Sequence, residues 1–256
     1  MKKPFYRLKF SSRACNFNIR INDIPVFNYH DTGMISTQYP INHLILNSGE
    51  QKISMYLYPQ AGQQALNEHS SLNMEIIVED LEMNKGELVN VFEFKSPQLN
   101  ESVPFFENIA RFKAEVPHIV KGWSQSEELE LNDSLEKRVK AFYQNVYSLL
   151  EQKKFQEYRS IYDTKINEID RALYTSSTDT EKEWDNLINT LIESKMEAAN
   201  NIEDSFLKFY GDKRVITLVT TTHEPVLFCE NKEEKLVYEI ELYLHKPIGS
   251  ELEVIR

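Results

Sequence analysis

The stretch from Asp133 to Tyr210 holds three segments in which apolar residues return every third or fourth position, whereas in the chain before and after them they alternate every second position. Such a change of period, made and then reversed, places helices between two β regions. Leu135, Val139, Phe142, Val146, Leu149 and Leu150 form one continuous stripe, with Glu136, Lys137, Lys140 and Gln144 opposite, and Asp133 or Ser134 stands where an N-cap is wanted. Lys153-Lys154 interrupts the stripe. A second helix is then expected to carry Phe155, Tyr158, Ile161, Tyr162, Ile166, Ile169 and Leu173. After the polar loop Thr175–Asp179, Thr180 and Glu183 have the spacing of a capping box, and Trp184, Leu187, Ile188, Leu191 and Ile192 supply a third stripe. The stripes are too irregular for a sustained heptad, which excludes a coiled coil.

Before the helices, Phe5–Phe10, Cys15–Ile21, Gln51–Tyr58, Leu72–Val78, Leu88–Phe94 and Phe106–Val116 read as strands, with Ile41–Leu46 as a further one. Pro25 lacks an amide hydrogen, so Ile24–Phe27 belongs on an edge or at a bulge. Turns are expected at Asn47-Ser48-Gly49-Glu50 and at Asn84-Lys85-Gly86-Glu87. Short strands at regular spacing predict an antiparallel β-sandwich over residues 1–125. After the helices, Phe206–Tyr210 and Arg214–Thr220 read as a hairpin turning at Gly211-Asp212, and Val226–Cys229 pairs with one long strand, Leu236–His245. Residues 126–256 are therefore expected to be three helices packed on a curved antiparallel sheet, and the fold class is α+β.

Charge and motif content narrow the function. With 29 basic against 40 acidic side chains the net charge is −11, the wrong sign for displacing counterions from nucleic acid. No run of apolar residues is long enough to span a bilayer, and the N-terminal residues have no signal-peptide core, so a cytoplasmic protein is expected. Cys15 and Cys229 lie in strand-like runs and read as buried free thiols. The chain holds no Gly-x-Ser-x-Gly elbow, no Gly-x-Gly-x-x-Gly and no Walker-type loop, so no catalytic residue, cofactor or metal ligand is assigned. His30, Asp31 and His43 lack the close spacing that fixes two metal ligands on one element.

One charged strip stands out as a contact surface. Glu230, Glu233, Glu234, Glu239 and Glu241 crowd around a single predicted hairpin, where they would steer a basic protein partner. Charged hairpin tips also serve merely to solvate an edge. Two alternatives remain: Tyr29 and Tyr39, beside His30 and Asp31, could stack on a carbohydrate, and a pocket in the C-terminal half could take a small molecule.

The order of helices followed by antiparallel strands from about Asn132 onward resembles the ketosteroid-isomerase-like cone. That resemblance implies an acid or base inside the pocket, but the sequence places none of Asp163, Asp170 or His245 there, and three long helices with few small polar residues imply a plugged cone. The pairing of the two halves, with the runs Asn22-Asp23-Ile24-Pro25-Val26 and Lys246-Pro247-Ile248-Gly249-Ser250-Glu251-Leu252-Glu253-Val254-Ile255-Arg256, resembles bacterial immunity proteins encoded beside secreted toxins. That likeness implies a non-catalytic cytoplasmic binder that neutralises a cognate toxin.

Overall fold

The structure is a computed structural model that describes residues 2–83 and 87–256, so the expected turn at Asn84-Lys85-Gly86 lies outside the described residues. The chain is α+β, with antiparallel sheets and helices, and it divides into two compact units. The first comprises Met1–Val120 with Ala172–Tyr174, and the second Lys121–Arg171 with Thr175–Arg256.

In the first unit, β1 (Pro4–Arg13), β4 (Met34–Pro40), β6 (Ser71–Asp80) and β7 (Val89–Lys95) form one sheet in the order β4-β1-β6-β7. The strands β2 (Asn16–Ile21), β3 (Ile24–Tyr29), β5 (Gly49–Tyr58) and β8 (Phe106–Ala114) form another, in the order β3-β2-β5-β8. Every second residue of β1 is buried, from Tyr6 through Leu8 and Phe10 to Ser12, as the pleat requires. The Phe10 ring meets Phe17 of the other sheet edge-on at 5.5 Å and lies 5.1 Å from Phe27. Burying each such side chain contributes about 1.5–3 kcal/mol.

Ile41–Leu46 is not a strand but contains a single 3-10 turn over Asn42–Leu44. Asn42 is the reason. Its side chain is fully buried and imitates a strand partner, Oδ1 accepting the Tyr6 amide at 2.6 Å and Nδ2 donating to the Pro4 carbonyl at 2.8 Å. The turn expected at Asn47–Glu50 therefore leads from this turn into β5, not from a strand. The strand β4 escaped the sequence reading because its outer-edge position leaves it mostly exposed and weakly patterned.

The second unit opens with α1 (Asp133–Glu151), followed by α2 (Phe155–Ser160), α3 (Asp163–Leu173) and α4 (Ser177–Glu193). The expected second helix is thus two, and there are four helices among the described residues, not three. The chain turns at Ile161-Tyr162, where the Tyr162 amide reaches Arg159 O. That turn lets Tyr158 and Tyr162 pack edge to face at 5.2 Å with Trp184 against both, at 5.5 and 5.6 Å. Caps also differ from expectation. Asn132 Oδ1 accepts the Leu135 amide at 2.9 Å to start α1, and Ser176 caps α4, leaving the Thr180 hydroxyl to donate to Asp170 at 2.6 Å.

Its strands form two sheets instead of one. The strands β10 (Ser205–Tyr210), β11 (Val215–Thr220), β14 (Leu244–His245) and β15 (Glu253–Val254) run in that order, and β13 (Leu236–Ile240), β12 (Leu227–Asn231) and β9 (Glu197–Asn200) make a three-stranded sheet. The long strand expected over Leu236–His245 is consequently broken between Ile240 and Leu244, each part serving a different sheet. The break frees the Leu242 carbonyl, which accepts the buried Tyr143 hydroxyl at 2.7 Å. The β10–β11 turn spans Gly211–Arg214, longer than the two residues expected. Gly211 has φ +58°, and a Cβ there would lie 2.8 Å from the Trp123 ring, so no larger residue fits. Helices and both sheets share one core, with Leu135, Val139 and Val146 against Ile216, Leu227, Cys229 and Leu244.

Candidate protein-contact face and a second polar cavity

Residues directly opposite on neighbouring strands share a face. In the β13-β12-β9 sheet the register sets Glu230 opposite both Glu197 and Val237, and Phe228 opposite both Ala199 and Glu239. Leu227, Cys229 and Ile240 have the other parity and enter the core, so Glu197, Glu230, Glu239, Phe228 and Val237 occupy the outer face. Glu197 and Glu230 form a like-charge cross-strand pair, an arrangement that destabilises by about 0.2–1 kcal/mol. Lys232 reaches Glu230 at 3.2 Å and offsets part of the repulsion.

Glu233 and Glu234 sit on the β12–β13 turn, where both amides donate to Asn231 Oδ1 at 3.0 and 3.1 Å. This fixes the turn and leaves both carboxylates exposed. The strand β13 is outermost in its sheet, with Leu236, Val237 and Tyr238 exposed at 41%, 61% and 38%. Such an edge presents unpaired backbone groups beside apolar side chains. Glu241 stands apart from the strip, beyond the end of β13. It retains accessible surface, yet crowding around its carboxyl raises the pKa, with Lys165 opposing that shift. Lys165 itself is lowered to about 8 by burial, with Glu241 acting against the shift.

The other candidates are scattered. Tyr29 stacks on Phe17 at 5.5 Å and Tyr39 on Phe10 at 6.1 Å, so one side of each ring already covers core, while His30 and Asp31 are exposed on the following loop. Asp163 is exposed in the first turn of α3. Among the described residues no group of three or more His, Cys, Asp or Glu side chains is arranged to hold a metal. Both Cys15 and Cys229 are buried free thiols, each raised to about 11 chiefly by burial.

His245 belongs to a constellation the sequence did not reveal. Ser126 Oγ lies 2.7 Å from His245 Nδ1, and His245 Nε2 lies 2.9 Å from Glu253 Oε1. Glu253 accepts from Nε2–H, so the hydrogen-bond pattern assigns the proton to Nε2 and leaves Nδ1 to accept from the serine hydroxyl. Burial lowers the imidazole pKa below its ordinary value, Glu253 and Glu168 oppose the shift, and Arg256 adds to it. Behind this group Glu168 accepts the Gly122 amide and pairs with buried Arg256 at 3.0 Å. A cavity of about 410 Å³ opens on Ser126, His245, Glu253 and Glu168, with Lys121 and Gln125 also lining it. Ser126 and His245 are 119 positions apart in the chain, and no local motif announces either. Only the fold, through β14, β15 and the Ser126–Pro247 bridge, unites them.

No helix among the described residues is long and apolar enough to cross a membrane. No protein-family model, curated protein or solved structure matches the chain.

Proposed function

We propose that this chain is a binding protein that captures a basic protein partner on the outer face of the β13-β12-β9 sheet. The observation that carries this reading is the Glu197–Glu230 pair: carboxylates held opposite each other, beside Glu239 and the turn carboxylates, are relieved by an incoming cationic surface. Val237, exposed on the same outer face as Glu230 and Glu239, and Phe228 beside it supply apolar area next to that charge. A cytoplasmic immunity protein that neutralises a cognate secreted bacterial toxin fits this chemistry. In the same reading the two four-stranded sheets form a β-sandwich scaffold, and the second unit is a bent β layer covered by helices. Affinity capture from the source cells tests the proposal: a basic protein bound at sub-micromolar affinity supports it, and no protein partner at that affinity refutes it.

The cavity beside His245 favours a second reading, in which the α+β unit takes a small molecule. Its lining mixes Pro247, Ile248 and Ile255 with Gln125, Ser126 and Thr164, the combination of apolar wall and few polar anchors found in ligand sites.

A further inference from the structure

Ser126, His245 and Glu253 are joined by two short hydrogen bonds in a row, at 2.7 and 2.9 Å. Ser126 and His245 are only 6% and 3% exposed, so the way to the serine oxygen is through the cavity it lines. A nucleophile within hydrogen-bond reach of a base, with the base oriented by a third group, is the arrangement by which hydroxyls become acyl acceptors. Here the imidazole is used from its Nδ1 side, with the carboxylate on Nε2. The chemistry is the same whichever ring nitrogen faces the hydroxyl, provided the other carries the proton.

We propose that Ser126, His245 and Glu253 form an acyl-transfer relay that hydrolyses short-chain carboxylic esters in this cavity. The proposal rests on the second reading above, that the cavity takes a small molecule. Ser126 Oγ attacks the ester carbonyl carbon as its proton passes to His245 Nδ1, and the carbonyl π electrons move onto oxygen. Collapse of the tetrahedral adduct breaks the bond to the alcohol oxygen, which leaves with the proton from Nδ1. A water then repeats the sequence, releasing the carboxylic acid and restoring the serine; ester and water become acid and alcohol. Throughout, Nε2–H stays bonded to Glu253, which holds the ring and stabilises the imidazolium. Lys121 and Gln125 line the same cavity, and an ammonium and an amide are donors of the kind a developing oxyanion requires.

The test uses the full chain, a fluorophosphonate probe and p-nitrophenyl acetate. Covalent labelling of the peptide containing Ser126, with ester hydrolysis about a hundredfold above that of Ser126→Ala, is the expected result. Glu253→Gln is expected to move the midpoint of the pH–rate profile to lower pH, because the carboxylate raises the proton affinity of His245. Ser126→Cys treated with iodoacetamide separates the two ways of failing, since Cys15 and Cys229 are buried and raised to about 11. Alkylation of the new thiol with no labelling of the wild-type serine overturns the relay and leaves the ligand cavity standing. A new thiol that stays unmodified in the folded protein, with an unlabelled wild type, overturns both.

Discussion

Tyr143→Phe removes one oxygen from the second unit and is expected to destabilise that unit heavily. The ring is 1% exposed, and its hydroxyl donates to Leu242 O at 2.7 Å while accepting the Leu218 amide at 3.0 Å. Thr217 Oγ1 lies 3.0 Å from the same oxygen. Phenylalanine keeps the packing and deletes every one of these bonds, leaving a buried carbonyl and a buried amide without their partner. Each orphaned group costs about 1–3 kcal/mol, and the Thr217 hydroxyl can rotate to satisfy only one, so one group stays unpaired and the net loss is about 1–3 kcal/mol. With a urea slope of about 1.5 kcal/mol/M, the midpoint falls by about 1 M. Both tryptophans, Trp123 and Trp184, belong to the second unit, so tryptophan fluorescence follows that unit alone. Tyr147→Phe is the control, because its hydroxyl bonds to Glu151 in solvent and its loss costs under about 0.5 kcal/mol. A Tyr143→Phe midpoint no lower than that of the control would refute the claim that this hydroxyl closes the break between β13 and β14.

Further outcomes follow from single contacts. Asn132→Ala deprives the Leu135 amide of its acceptor and is expected to lower the stability of the second unit by about 1 kcal/mol, read from the same fluorescence transition. Gly211→Ala forces a Cβ to within 2.8 Å of the Trp123 ring at φ +58°; a destabilisation of about 1–3 kcal/mol and a shifted emission maximum are expected. Because the folded pKa of His245 lies below its ordinary 6.5, its contribution to stability is fully present above that value and is lost as pH falls through the folded value. His245→Gln should therefore flatten the acid side of the stability–pH curve, compared by urea titration between pH 4 and 7.

What the sequence made legible is what a strong periodicity controls. The stripe Leu135–Leu150 gave α1 because its apolar residues meet one core, and the alternation in Cys15–Ile21 and Gln51–Tyr58 gave adjacent strands β2 and β5. It failed where one buried polar group overrode the pattern. Asn42 turned an apolar run into a 3-10 turn, and Tyr143 stabilised a break inside the alternating run Leu236–His245. The short strand β9, Glu-Ala-Ala-Asn, carries almost no β propensity and owes its place to the neighbouring β12. For the same reason the contact face was legible only in part. Glu230, Glu233, Glu234 and Glu239 could be read from one hairpin, whereas Glu197 joins them only through register, and Glu241 lies beyond the end of β13. The Ser126–His245–Glu253 group depends wholly on long-range pairing, which no local window contains.

The central claim concerns the acidic outer face, and its most direct test is a titration of the captured basic partner against the double variant Glu230→Lys/Glu239→Lys. A charge-matched control, Glu101→Lys/Glu107→Lys, carries the same change of net charge on exposed positions of the first unit. The account predicts that the face variant binds at least about tenfold more weakly, that the control binds as the wild type does, and that wild-type affinity falls with added salt. Equal affinities for the face variant and the wild type would contradict it.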